Sequence, residues 1–145
     1  MNTGKLKAGV LGGLAGGLVF GMMLAMMGML PVIASLIGSQ SVLVGFVLHM
    51  LISAVFGVGF AVLLGQAVHF TGSGAAVGAL YGLAWWVLGP LLLMPLMMGM
   101  GAQFVNAFST QNLMSLMGHL TFGVVLGATY AIVTGRPARV TRPSL

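Results

Sequence analysis

Two histidines, His49 and His119, have the clearest capacity for chemistry in this chain. Each opens the same pattern: His, seven residues, Gly, two residues, an aromatic, Ala, three residues, Gly. The segments from His49 to Gly65 and from His119 to Gly135 align without a gap. Both histidines lie in apolar runs, where an ionisable side chain is a functional candidate by default. On two helices of a bundle, paired imidazoles can ligate haem b or another tetrapyrrole from opposite sides. Gly45 and Ser115, four positions earlier, would clear space for the edge of such a ring. The same imidazoles can instead make interhelical hydrogen bonds, each contributing roughly 1 kcal/mol or less, or take part in proton or quinone chemistry. His69 stands beside the Thr71-Gly72-Ser73-Gly74 segment and reads as an interfacial residue.

Methionine supplies a second constellation. Met26-Met27-Gly28-Met29 answers Met97-Met98-Gly99-Met100 in a chain with 13 Met. Thioethers together with imidazole suit Cu(I), a soft ion, so Met26, Met27, Met29, Met97, Met98 and Met100 form a candidate copper set. Methionine is also an adaptable packing residue. Other chemistry is excluded by composition. With no Asp or Glu the chain has no carboxylate pair, hard-cation site or Ser-His-Asp triad, and with no Cys it has no disulfide or thiolate. No enzymatic activity is expected.

The elements that must position these residues follow from hydropathy. Of 145 residues only 3% are charged and 59% are hydrophobic, with a mean hydropathy of +1.16. An ordinary soluble domain carries about a quarter charged residues, so an integral membrane protein is expected, with the lipid bilayer as its surroundings. The pI near 11.1 could point to nucleic acid, but the five basic residues sit at the two ends and form no patch, so no nucleic-acid partner is expected. A membrane-crossing helix needs roughly 20 apolar residues. Turn-forming residues divide the neutral stretch into four such spans, about 8–30, 42–68, 75–96 and 113–134. Residues 1–7 form an N-terminal segment, 8–135 the four-span domain and 136–145 a basic tail. Lys5 and Lys7 precede the first span and Arg136, Arg139 and Arg142 follow the last, which places both termini in the cytoplasm. The first apolar stretch is too long for a signal peptide and belongs to the mature fold.

The repeat extends beyond the histidines. Gly9, Gly13 and Gly17 answer Gly74, Gly78 and Gly82, and five or six extra residues fall in the later part of span three, near Pro90 and Pro95. The expected fold is an all-α four-helix bundle made of two tandem parallel two-helix repeats, related by a pseudo-twofold axis along the membrane normal. Lipid tails are as apolar as leucine, so small residues carry helix association. Gly9, Gly13, Gly17 and Gly21 on span one, Gly57 on span two, Gly74, Gly78 and Gly82 on span three and Gly127 on span four are the expected packing positions. Pro90 has no N–H for the carbonyl of Trp86, which predicts a kink in span three and a free acceptor near the indoles of Trp85 and Trp86.

A glycine-rich first span, a His-led second span, a Trp-containing third span followed by Pro and Met, and a closing segment from Leu113 to Tyr130 resemble a bacterial family of small four-helix inner-membrane proteins of unknown function. The resemblance runs from about Gly9 to Gly135. It implies a bacterial inner-membrane location and adds no substrate or cofactor. Almost no soluble portion remains to do chemistry. The first functional expectation is therefore a non-enzymatic accessory or assembly subunit, packing with other subunits of a redox or light-energy complex or with itself. A haem b or pigment protein ligated by His49 and His119 is the alternative, and a small copper or solute transporter a third.

Overall fold

A computed structural model describes residues 3–135, which are helical or loop with no strand among them. Helix α1 spans Thr3–Met26, α2 Leu30–Ser35, α3 Val42–Leu63, α4 Thr71–Leu88, α5 Met94–Met97 and α6 Thr110–Val133. A π-helical turn, Gly89–Leu93, fuses α4 to α5, and a 3-10 turn, Phe104–Asn106, precedes α6. Four segments are long and apolar enough to cross a membrane: Thr3–Met26, Val42–Leu63, Thr71–Met97 and Thr110–Val133. Lys5 and Lys7 belong to the first turns of α1, while Arg136, Arg139 and Arg142 lie outside the described residues.

Local sequence explains where the helices stop. Gly28 has φ +66° and Gly99 φ +74°, a left-handed conformation that glycine adopts without steric cost. Around Gly28, the Gly28 N–H donates to Ala25 O (3.1 Å) and the Met29 N–H to Leu24 O (2.9 Å). Around Gly99, the Gly99 N–H donates to Leu96 O (3.1 Å) and the Met100 N–H to Pro95 O (2.9 Å). Both are Schellman caps, which satisfy the last carbonyls of a helix. The two Met-Met-Gly-Met boxes are thus helix-stop signals. Ser41 and Ser109 start α3 and α6, each side chain accepting a backbone N–H two or three residues into the helix.

The connection between the second and third spans differs from its sequence reading. Thr71-Gly72-Ser73-Gly74 forms the first turn of α4, and α3 ends at Leu63, so the connection is 64–70. Ser73 is the reason. Its Oγ accepts from the backbone N–H of both His69 (2.8 Å) and Phe70 (3.0 Å), supporting a helix start that composition reads as a loop. At Pro90 the helix widens instead of breaking. The Met94 N–H donates to Gly89 O, five residues back, and this π turn accommodates the missing proline N–H.

Around the bundle the order is α3, α1, α6, α4, with α1 and α6 adjacent at the centre. Helix α1 presents glycine on two faces. A Cβ on Gly9 or Gly13 would collide with α3 carbonyls at Gly57 and Ser53, and one on Gly12 or Gly16 with α6 carbonyls at Leu126 and Phe122. On the other flank, a Cβ on Gly74, Gly78 or Gly82 would collide with the carbonyls of Gly127, Gly123 or His119. Helices α3 and α4 lack such close backbone approach. Aromatic rings span the gap between them: Phe56 stacks on Trp85 at a centroid distance of 4.0 Å, and the Tyr81 hydroxyl donates to Phe56 O at 2.9 Å. At the end of the bundle carrying Lys5, Phe60, Tyr81, Leu126, Tyr130 and Ala131 fill the interior. At the opposite end the packing opens.

Candidate functional site

The opening is a cavity of about 250 Å³. Six helices and the π turn contribute to it: Phe20 and Leu24 from α1, Ile33 from α2 and Leu36 just after it, His49, Ser53 and Phe56 from α3, Trp85 from α4, Pro90 and Leu93 from the π turn, Met94 and Met97 from α5, and Ser115, His119 and Phe122 from α6. Its position follows from the packing. Glycine-on-carbonyl contact draws α1 to α3, α1 to α6 and α4 to α6, whereas the aromatic spacers hold α3 away from α4. The π turn and α2 then fold over the space left between them.

Both histidines face this cavity, and each is anchored through one ring nitrogen. His49 Nε2 donates to the carbonyl of Gly17 on α1 (2.9 Å), a bond across the helix pair. His119 Nδ1 donates to the carbonyl of Ser115 on its own helix (2.8 Å), with Ser115 Oγ at 3.4 Å. A carbonyl can only accept, so in each neutral ring the anchored nitrogen carries the hydrogen and the other holds a lone pair. The remaining nitrogens are His49 Nδ1 and His119 Nε2, and neither has a hydrogen bond among the described residues. His49 is 6% exposed and Ser53 2%.

Phe20 stands between the imidazoles. Its ring meets His49 edge-on at a centroid distance of 5.3 Å and His119 at 4.8 Å, and Gly118 on α6 leaves the room it occupies. The two histidines thus line one cavity with the Phe20 ring between them, and His49 Nε2 is engaged by the Gly17 carbonyl.

The methionine set divides. Met29 and Met97 line the cavity, joined by Met94, which lies outside either box. Met26, Met97, Met98 and Met100 are exposed, Met26 to 88% and the cavity-lining Met97 to 70%, and Met27 is half-buried without lining the cavity. Among the described residues, no group of three or more His, Cys, Asp or Glu could hold a metal. Polar residues of the last loop are engaged with one another. Asn106 Nδ2 donates to Gln103 Oε1 (2.8 Å), Asn112 Nδ2 to Asn106 O (2.8 Å), and the Gln103 N–H to Leu91 O (2.7 Å). That loop folds back along the π turn, and the Trp86 indole donates to Asn112 O in the first turn of α6 (2.9 Å). The acceptor for Trp86 is thus a helix terminus. Gln111 Nε2 reaches Met29 Sδ at 3.5 Å, and His69 is exposed at the opposite end.

Sequence reasoning missed Phe20, Phe56 and Met94. Phe20 lies within the glycine strip of α1, between Gly17 and Gly21, and only Gly118 opposite reveals that its ring turns inward. No family model, curated protein or solved structure matches the chain.

Proposed function

We propose that this chain is a multi-pass protein of the bacterial inner membrane, without catalytic activity of its own, that holds a small lipophilic molecule in the two-histidine cavity. The observation that carries this reading is an apolar cavity with a few convergent polar groups, His49, His119, Ser53 and Ser115, in an otherwise close-packed bundle. Such a pocket is the usual form of a small-molecule site. Its volume, about 250 Å³, lies just below the ~300–1,000 Å³ of drug-sized sites. Four apolar helices and the confinement of charge to the chain ends support membrane insertion with both termini cytoplasmic.

The same proposal includes a tandem origin for the bundle. Gly13 against Ser53 and Gly57, and Gly78 against Gly123 and Gly127, are equivalent contacts in the two helix pairs, and the two Schellman caps are equivalent stops. The halves differ where the site lies: α1 meets α6 through glycine, whereas α4 meets α3 through aromatics. On this reading, loss of symmetry between two repeats made the cavity.

The test is binding of tetramethylbenzene, a single apolar ring, to the chain in lipid nanodiscs, measured by equilibrium dialysis against empty nanodiscs. One saturable site per chain, removed by Ser115→Phe, supports the reading. Partitioning indistinguishable from empty nanodiscs overturns it.

A second reading, a packing subunit of a larger membrane complex, is favoured by the loop before α6, where Val105 is 96% and Phe108 84% exposed. The glycine strips do not add to it, because they are occupied within the chain. A photo-crosslinking residue at position 105 tests it: crosslinks to one protein partner support a subunit role, and crosslinks to lipid alone oppose it.

A further inference from the structure

Resting on the cavity as a ligand site, we infer that its occupant is a hydroxylated aromatic ring, the headgroup of a quinol or a free phenol, whose hydroxyl hydrogen is accepted by His119 Nε2. The Ser115 carbonyl fixes His119 with its hydrogen on Nδ1, and this residue of the cavity lining keeps its tip nitrogen as an acceptor. His49 is fixed in the opposite sense by the Gly17 carbonyl, which leaves Nδ1 as its acceptor. Both imidazoles thus offer lone pairs. A ligand carrying only carbonyl oxygens would set lone pair against lone pair, and a buried acceptor left without a donor is costly.

The rest of the wall selects the body of the ligand. Among the described residues no cation lines the cavity, so a carboxylate or phosphate has no counter-charge there. Phe20, Trp85, Met94 and Met97 present ring faces and edges and thioethers, which suit an aromatic ring. A hydroxyl can also accept from the hydroxyl of Ser53, which has no hydrogen bond among the described residues; an N–H donor on a ring cannot. About 250 Å³ accommodates one substituted ring.

Three probes of one shape isolate the hydroxyl: tetramethylbenzene, tetramethylbenzoquinone and tetramethylhydroquinone, each bound anaerobically to the full chain in lipid nanodiscs. The hydroquinone should bind about tenfold more tightly than the other two, as expected for one well-formed buried hydrogen bond. In His119→Leu the hydroquinone should lose its advantage over tetramethylbenzene, both probes being measured on that same variant. In the unaltered chain, the hydroquinone alone should move the ¹⁵N resonance of the unprotonated His119 nitrogen toward the protonated range, a readout that does not depend on the variant folding. Equal affinities for all three probes, or a His119 resonance that ignores the hydroquinone, overturn the hydroxyl assignment and leave the cavity reading intact. Failure of every probe to bind overturns both. A decyl-substituted hydroquinone separates the sources: tighter binding than the methylated ring assigns a membrane quinol, and exclusion assigns a free phenol, each consistent with the hydroxyl as the recognised group.

Discussion

The imidazole of His49 does different work from that of His119, although the sequence around them is nearly superimposable. Its tip nitrogen ties α3 to the Gly17 carbonyl of α1, whereas the His119 anchor lies within its own helix. The difference is steric. One turn after His49 on the same helix, the Ser53 side chain stands against Gly17 of α1; one turn after His119, Gly123 lets α4 settle directly onto the backbone. His49→Leu keeps the volume and removes the cross-helix bond. It is expected to lower stability in detergent by about 1 kcal/mol or less, the scale of an interhelical hydrogen bond in membrane proteins, as measured by denaturant titration of the helical signal. A loss of several kcal/mol would mean that the ring also holds the wall in place.

At the scale of elements, glycines have two separate jobs, and substitution distinguishes them. Gly123 faces the Gly78 carbonyl so closely that any Cβ must push α4 from α6. Gly123→Val is expected to cost roughly 1–3 kcal/mol or more, as overpacking does, and to show as a lowered thermal midpoint with loss of the monodisperse peak. Gly28 has open space around it but a φ of +66°, so Gly28→Ala is strained by its backbone alone, by about 1–2 kcal/mol. Gly89 has neither close neighbour nor positive φ, and Gly89→Ala should leave the thermal midpoint unchanged. The contrast between Gly28 and Gly89 also tests the Met-Met-Gly-Met box as a helix stop: its glycine should matter, and Met26→Leu, at an exposed position, should not.

For the whole molecule, the arrangement predicts sidedness. The cavity, α2, α5 and the loop before α6 share one end; Lys5, Lys7 and the connection 64–70 share the other. With no native cysteine to interfere, single replacements report location directly. In intact cells Gln40→Cys and Val105→Cys should react with an impermeant maleimide, and His69→Cys should react only after the membrane is opened. Labelling of His69→Cys from outside would invert the orientation and place the cavity toward the cytoplasm.

Several features were legible from one dimension because they depend on composition and local spacing. Charge confined to the ends and four long apolar runs specify four crossing-length helices, since backbone groups in such runs must bond within their own helix. The paired histidines and glycine strips were also visible as spacing. The start of α4 was not, because Ser73 turns a glycine-containing break into a helix cap through bonds that composition does not encode. Nor was the role of the methionine boxes as helix stops, where the glycine conformation decides. The rotation of each helix was undetermined by sequence, and with it whether His49 and His119 meet. Tertiary packing set that rotation: glycine contacts clamp three helix pairs, bulky aromatics hold the fourth pair open, and the space between them receives both imidazoles with Phe20 wedged in between.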